Sequence, residues 1–149
     1  RGLGDVYKRQ VMYAAEIADS LGLNRVRALN GLAIISGKPT MTADLMGELV
    51  RRAGHKLRIS GDDTKATAVI IRADDPEFEY KCVWTIDRAK KCGLITEKSY
   101  GWRRYPAAML RARATTEVAR MGAQDALGGV IYCPEELGAN VDESGEVIR

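Results

Sequence analysis

Apolar and polar positions in this chain follow two periods, and the switches between them mark its elements. Between Val11 and Leu21 the apolar residues Met12, Ile17 and Leu21 recur among alanines, and Gly22 follows, which predicts a helix with a glycine stop. LNGLAIIS, a turn at Gly37–Lys38–Pro39 and then Thr40–Met41 predict a hairpin over Leu29–Met41. Thr42 is placed to cap a helix through Ala53. Asp44 falls in its first turn, Leu45, Met46, Leu49, Val50 and Ala53 form one apolar face, and Gly54 ends it.

The period then shortens to two. His55–Ser60 alternates as a short strand, GDDT at 61–64 is a turn, and Ala66–Ala73 is β-branched and apolar. DDPE at 74–77 is a second turn, and Phe78–Thr85 a third strand. Thr85 or Asp87 opens a short helix ending near Gly93, and Leu94–Gly101 reads as a loop. Tyr105–Met121 is a long helix with Pro106 in its first turn, and Gly122 stops it. Pro134–Leu137 adds one helical turn, and the acidic end from Gly138 is expected to fray. This order predicts an α+β fold with three sequential antiparallel strands, a separate hairpin and flanking helices.

Composition narrows the class. The 149 residues suffice for one domain that buries about two-thirds of its unfolded surface. No apolar run approaches the roughly 18 residues of a membrane span, and no signal peptide is visible. Cys82, Cys92 and Cys133 are odd in number and widely spaced, which fits a reduced cytoplasmic setting and buried thiols better than disulfides or metal ligands. The first ten residues stand apart. Asp5–Gln10 is what GAT-GTG-TAT-AAG-AGA-CAG encodes, a string that resembles the transposon end ligated to DNA fragments for sequencing. Residues 1–10 are therefore read as an adapter scar, with native sequence missing before Val11; the alternative is a genuine basic arm. The domain assignment is then a core over 11–138 and an acidic, flexible end over 139–149.

Excluding the scar lowers the formal charge from +3 to +1, so global basicity carries little weight. Local charge carries more. Nine cations oppose three acids over Ile86–Arg120, a net of +6, whereas six acids oppose one cation from Met121 onward, a net of −5. Within the basic block, Trp102-Arg103-Arg104-Tyr105 sets aromatic faces beside guanidinium groups, a combination suited to stacking on bases and neutralising phosphates. The competing reading is that Trp102 and Tyr105 pack the loop onto the core.

On the long helix, Met109, Ala112, Thr116 and Ala119 form a core stripe. Arg113, Glu117 and Arg120 fall on another side, either as a solvated ladder or as DNA contacts, and Arg111 has no acid on its own face. Lys90 and Lys91 end the short helix, where cations also suit the helix dipole. Arg51, Arg52, Lys56 and Arg58 form a second basic cluster around the helix-to-strand turn. His55, the only histidine, leaves no His-rich metal site and is expected at a strand edge near solvent or phosphate. Asp62–Asp63 and Asp74–Asp75 could pair as nuclease carboxylates, but each pair sits in a turn, where Asp bonds its own backbone. No GxxxxGK[ST] loop is present, which disfavours an ATP-driven recombinase.

Four phrases in order resemble the RecT family of phage single-strand annealing proteins, of the Red-beta type: ISGKPTMTADLMGELVRRAGH (35–55), the strand pair with VWTIDRAKKCGL (83–94), WRRYPAAMLRARATTEVAR (102–120) and GVIYCPEELG (129–138). The resemblance spans most of 11–138. It implies an α+β core of three antiparallel strands packed with a long helix. It also implies ATP-independent annealing of complementary strands, DNA recombination without catalysis, rings or filaments of identical subunits, a 5′-to-3′ exonuclease partner, and a phage- or prophage-encoded protein in a bacterial cytoplasm. No cofactor is implied, with Mg²⁺ at most bridging DNA. Family members usually carry more sequence before the helix at 11–21. Some carry a longer C-terminal tail for host single-strand-binding protein; here only a short acidic stretch follows, so that contact is not implied. The candidate DNA-binding residues are Arg51, Arg52, Lys56, Lys90, Lys91, Trp102, Arg103, Arg104, Arg111 and Arg113. Two rivals remain: a metal-dependent nuclease-like phage protein using the turn aspartates, and an oligomerisation core without DNA binding.

Overall fold

The computed structural model describes residues 2–148. In chain order the elements are α1 (Leu3–Leu21), α2 (Arg25–Gly31), β1 (Leu32–Ile35), β2 (Lys38–Met41), α3 (Ala43–Arg52), β3 (Lys56–Gly61), β4 (Lys65–Arg72), β5 (Asp75–Thr85), α4 (Ile86–Lys91), α5 (Tyr100–Arg104) and α6 (Pro106–Gly122), followed by 3-10 turns at Gln124–Leu127 and Pro134–Leu137. The fold is the expected α+β arrangement: β3-β4-β5 form an antiparallel sheet in sequence order, β1-β2 a separate hairpin, and α6 packs on the sheet. Among the described residues no helix is long and apolar enough to cross a membrane.

Local chemistry explains most boundaries. Thr42 caps α3, its hydroxyl accepting the Leu45 N–H at 3.2 Å, and Thr85 caps α4 by accepting the Arg88 N–H at 3.1 Å. Gly22 closes α1 in the left-handed region at φ 69°. The register pairs Leu57 with Ile70, Ile59 with Ala68 and Gly61 with Ala66 across β3–β4, and Ala66 with Trp84, Ala68 with Cys82 and Ile70 with Tyr80 across β4–β5. These residues share one face, and Ala66, Ala68 and Ile70 in its central strand are fully buried. The small alanines let α6 approach the sheet. Gly122 does the same at the helix end, where an added Cβ would stand 2.7 Å from the Tyr80 ring.

Several expected details differ. α1 begins at Leu3 rather than Val11, because residues 3–10 contain no proline and continue the helical backbone; the scar reading concerns their origin, not their conformation. α2 adds a helix that the apolar pattern does not predict and takes Leu29–Gly31 out of the expected hairpin, whose first strand starts at Leu32. It is capped by Asn24, whose Oδ1 accepts the Arg27 N–H at 2.7 Å, but Val26 and Leu29 are exposed, so it has no amphipathic pattern to detect. The first hairpin turns at Ser36–Gly37, both with positive φ, and Pro39 sits within β2 opposite Ile34. The second turns at Ala73–Asp74, with Pro76 inside β5. The segment Leu94–Gly101 gives up its end to α5. On α6 the core face exceeds one stripe, since Leu110, Ala114, Thr115 and Val118 are also buried: the helix lies between the sheet and α3. The acidic end forms a closed turn in which Asp142 Oδ1 accepts from the Ser144 N–H, the Ser144 hydroxyl and the Glu146 N–H at 2.6–3.0 Å, below a Val141–Val147 bridge.

Candidate nucleic-acid interface

α6 organises the charged side chains into two groups. Its inner turns carry a paired network. Arg88 lays its guanidinium 3.9 Å from the Trp84 ring centre and donates to both Glu117 oxygens at 2.9 Å and to the Val83 carbonyl at 2.8 Å. Trp84 Nε1–H donates to the same carboxylate at 2.6 Å. Burial pushes the Glu117 carboxyl up, but the Arg88 and Trp84 hydrogen bonds outweigh it and hold the group below its ordinary range. One turn on, Glu136 receives Arg120 at 2.8 Å and Arg113 at 3.4 Å, as well as the Cys133 N–H at 3.0 Å. Arg113, Glu117 and Arg120 therefore form neither a solvated ladder nor a DNA-facing row. Arg113 is 14% exposed and spoken for, because the fold delivers Glu136 to it from a turn 23 residues away.

Trp102 is likewise taken up by the fold. It is 8% exposed and belongs to the core cluster, so no face of its ring is open to a base. Packing it is what holds the five-residue α5 in place. The aromatic role passes to its neighbours. Tyr100, 42% exposed, and Tyr105 stand edge to face with centres 6.4 Å apart, and Arg104 lies over both rings at 5.4 and 6.0 Å. The sequence pattern does not single out Tyr100, because its place beside Arg104 depends on α5 being helical, which puts the two residues one turn apart. Arg103 is exposed and donates to the Glu97 carbonyl at 2.7 Å, bracing the loop between α4 and α5. Lys90, Lys91 and Lys98 are exposed, with no ion-pair partner within 4.0 Å among the described residues. From Arg88 to Tyr105 six cations thus accompany one acid, Glu97, and two partly open tyrosines.

The remaining candidates divide. Arg51 donates to the Leu57 carbonyl at 3.2 Å and Arg52 to the Gly22 carbonyl at 3.3 Å, so both tie α3 to its neighbours; Lys56 is exposed on β3 without an ion pair. Arg111 is exposed, but it opens on a cleft of about 290 Å³ that it shares with Asp44, Glu135 and Glu143. Its own helix face lacks an acid, yet three other segments supply them, and this weakens it as a phosphate ligand. Beside that cleft burial raises the Glu135 carboxyl above its ordinary range. Its Oε2 and, on α6, Arg113 Nε are sealed from solvent without a hydrogen-bond partner among the described residues.

One aspartate of each pair that could have served a nuclease is otherwise engaged, while Asp63 and Asp75 are exposed. Asp62 Oδ1 accepts from the Thr64 N–H, the Thr64 hydroxyl and the Lys65 N–H at 2.7–3.1 Å, and the Thr64 hydroxyl bond leads in lowering its pKa. Asp74 pairs with Arg72, which also reaches Asp125 and the Gly122 carbonyl. His55 is buried, not at a solvent edge, and its Nδ1 accepts the Ala73 N–H at 3.0 Å. Cys82 and Cys133 are buried, whereas Cys92 is exposed, against the expectation of three buried thiols. Among the described residues no three His, Cys, Asp or Glu side chains form a group able to hold a metal ion. The chain matches no family model, no curated protein and no solved structure.

Proposed function

We propose that this chain binds single-stranded DNA and anneals complementary strands without ATP, as a non-catalytic recombination protein of the RecT type. The observation that carries the proposal is the segment from Arg88 to Tyr105, where unpaired lysines flank the Tyr100–Arg104–Tyr105 platform. Cations there would neutralise phosphates, and the tyrosine faces would stack on bases, each stacked base contributing about 1–3 kcal/mol. The four RecT-like phrases support the same reading. In it the protein acts as a homo-oligomer in a bacterial cytoplasm, beside an exonuclease that supplies the strand, and no bond is made or broken.

The test is an annealing assay with two complementary oligonucleotides, without nucleotide cofactor, over a range of salt. The protein is expected to accelerate pairing at low salt and to lose that effect as salt rises, because binding releases counterions from phosphates. No acceleration at low salt sinks the proposal. Assembly in sedimentation without any DNA binding would leave only the oligomerisation-core reading.

A further inference from the structure

The face of the β3-β4-β5 sheet opposite α6 is open. Antiparallel register puts directly opposed residues on one face, so the inner rows of Leu57, Ile70 and Tyr80 and of Gly61, Ala66 and Trp84 alternate with outer ones. The outer rows are Lys56–Ile71–Glu79, Arg58–Val69–Lys81 and Ser60–Thr67–Val83, with Lys65 opposite Thr85 at the end. The central Thr67, Val69 and Ile71 are half-buried, and the cations on both flanking strands are exposed. α3 and α6 both pack against the inner side. The face therefore presents a strip of β-branched side chains edged by Lys56, Arg58, Lys65 and Lys81, none of them ion-paired among the described residues. Its acids, Glu77 and Glu79, lie toward the β4–β5 turn.

We propose that this outer sheet face holds the sugar–phosphate backbone of a single DNA strand with the bases turned outward. The inference rests on the single-strand DNA reading above and gives the strand a second surface. Charge complementarity selects a polyanion. The Arg58–Val69–Lys81 row sets two cations about 10 Å apart across two strand spacings, and Lys56 and Arg58 lie two residues apart, about 7 Å along β3. No aromatic side chain stands in these rows, so the face offers bases nothing to stack on and meets sugars with Thr, Val and Ile instead. Bases left outward are what pairing with a second strand requires. The face also runs into the other surface: β5 ends at Thr85, whose hydroxyl caps the helix that carries Lys90 and Lys91.

The experiment is the salt dependence of binding to a labelled thymine oligonucleotide, for the full chain and for a Lys56→Gln/Arg58→Gln/Lys81→Gln variant. Each lost phosphate contact removes about 0.7 from the slope of log affinity against log salt, so the triple variant is expected to lose about 2. Lys81→Gln alone, at an exposed position, is expected to lose about 0.7 and keeps the test open if the triple variant folds poorly. In a Tyr100→Ala/Tyr105→Ala chain, which lacks the stacking platform, thymines in the bound strand are expected to stay reactive to permanganate. A wild-type chain that binds with a slope the variants leave unchanged overturns this face and spares the proposed function. Thymine protection in that tyrosine variant overturns the outward bases, and a change in self-association without a change in slope assigns the face to a second copy. A wild-type chain that binds no DNA at low salt overturns both proposals.

Discussion

Three carboxyl groups show how environment, not residue type, sets charge in this molecule. Asp125 is mostly exposed, yet the hydrogen bonds from Arg72 hold its pKa down to about 2, while burial drives Glu135 the other way. Asp62 is held low by its own turn. The two larger cases have opposite consequences for stability. Asp125 has a folded pKa below its unfolded one, so its contribution is complete above about pH 4 and is lost as pH falls toward 2. Glu135 has a folded pKa above its unfolded one, so its ionisation weakens the fold as pH rises past the ordinary glutamate range. Carbon-detected NMR titration should find Asp125 with a midpoint near 2, returning to about 4 in Arg72→Gln. Glu135→Gln should flatten the decline in stability as pH rises past the ordinary glutamate range. An Asp125 midpoint unmoved by Arg72→Gln would remove the ion pair from the account.

At the scale of elements, what could be read from the sequence was whatever rests on local chemistry. The Thr42 cap and the apolar face of α3 read directly, as did the alternation of the three strands and the proline start of α6. Elements held by tertiary contact did not. α5 exists because Trp102 is buried, and five residues have no period of their own. Candidate contacts on α6 failed for a related reason: a helix face shows which residues lie side by side, but not that Glu136 arrives from a distant turn to claim Arg113 and Arg120. The basic block itself was legible; its division into paired and free cations was not. The Glu136 junction is testable. Its side chain is 10% exposed, against 14% and 26% for its two arginines, so Glu136→Gln leaves two poorly solvated guanidinium groups without a countercharge. Urea unfolding should show a loss of about 3 kcal/mol at unchanged slope, the usual cost of breaking one side of a buried pair. The exposed Glu97→Gln should stay within about 0.5 kcal/mol of wild type. A Glu136→Gln effect as small as that would mean that the network merely decorates the contact between α6 and the Pro134–Leu137 turn.

For the molecule as a whole, the decisive question about α1 is how much of it the fold uses. Ala18 is buried and Ile17 and Leu21 pack on the core, whereas residues 4–9 are all exposed, and Tyr7 and Met12 stand 62% and 65% open. The helix is therefore anchored at its C-terminal end, where Arg52 also holds the Gly22 carbonyl. The side chains of residues 4–9 project without adding to the core. A chain starting at Val11 keeps Ile17, Ala18 and Leu21, the α1 side chains that meet the core among the described ones, and loses Arg1, Lys8 and Arg9 against Asp5. Its melting temperature should stay within about 3 °C of the full chain, the shift that about 1 kcal/mol produces in a domain of this size. Annealing should also survive, because the proposed contacts lie on β3, β5 and the segment from Arg88 to Tyr105 rather than on the first turns of α1. Loss of annealing with an unchanged melting temperature would reassign residues 1–10 as a functional basic arm. A fall of 10 °C or more would show that the exposed turns of α1 stabilise a contact that a single copy of the chain does not contain.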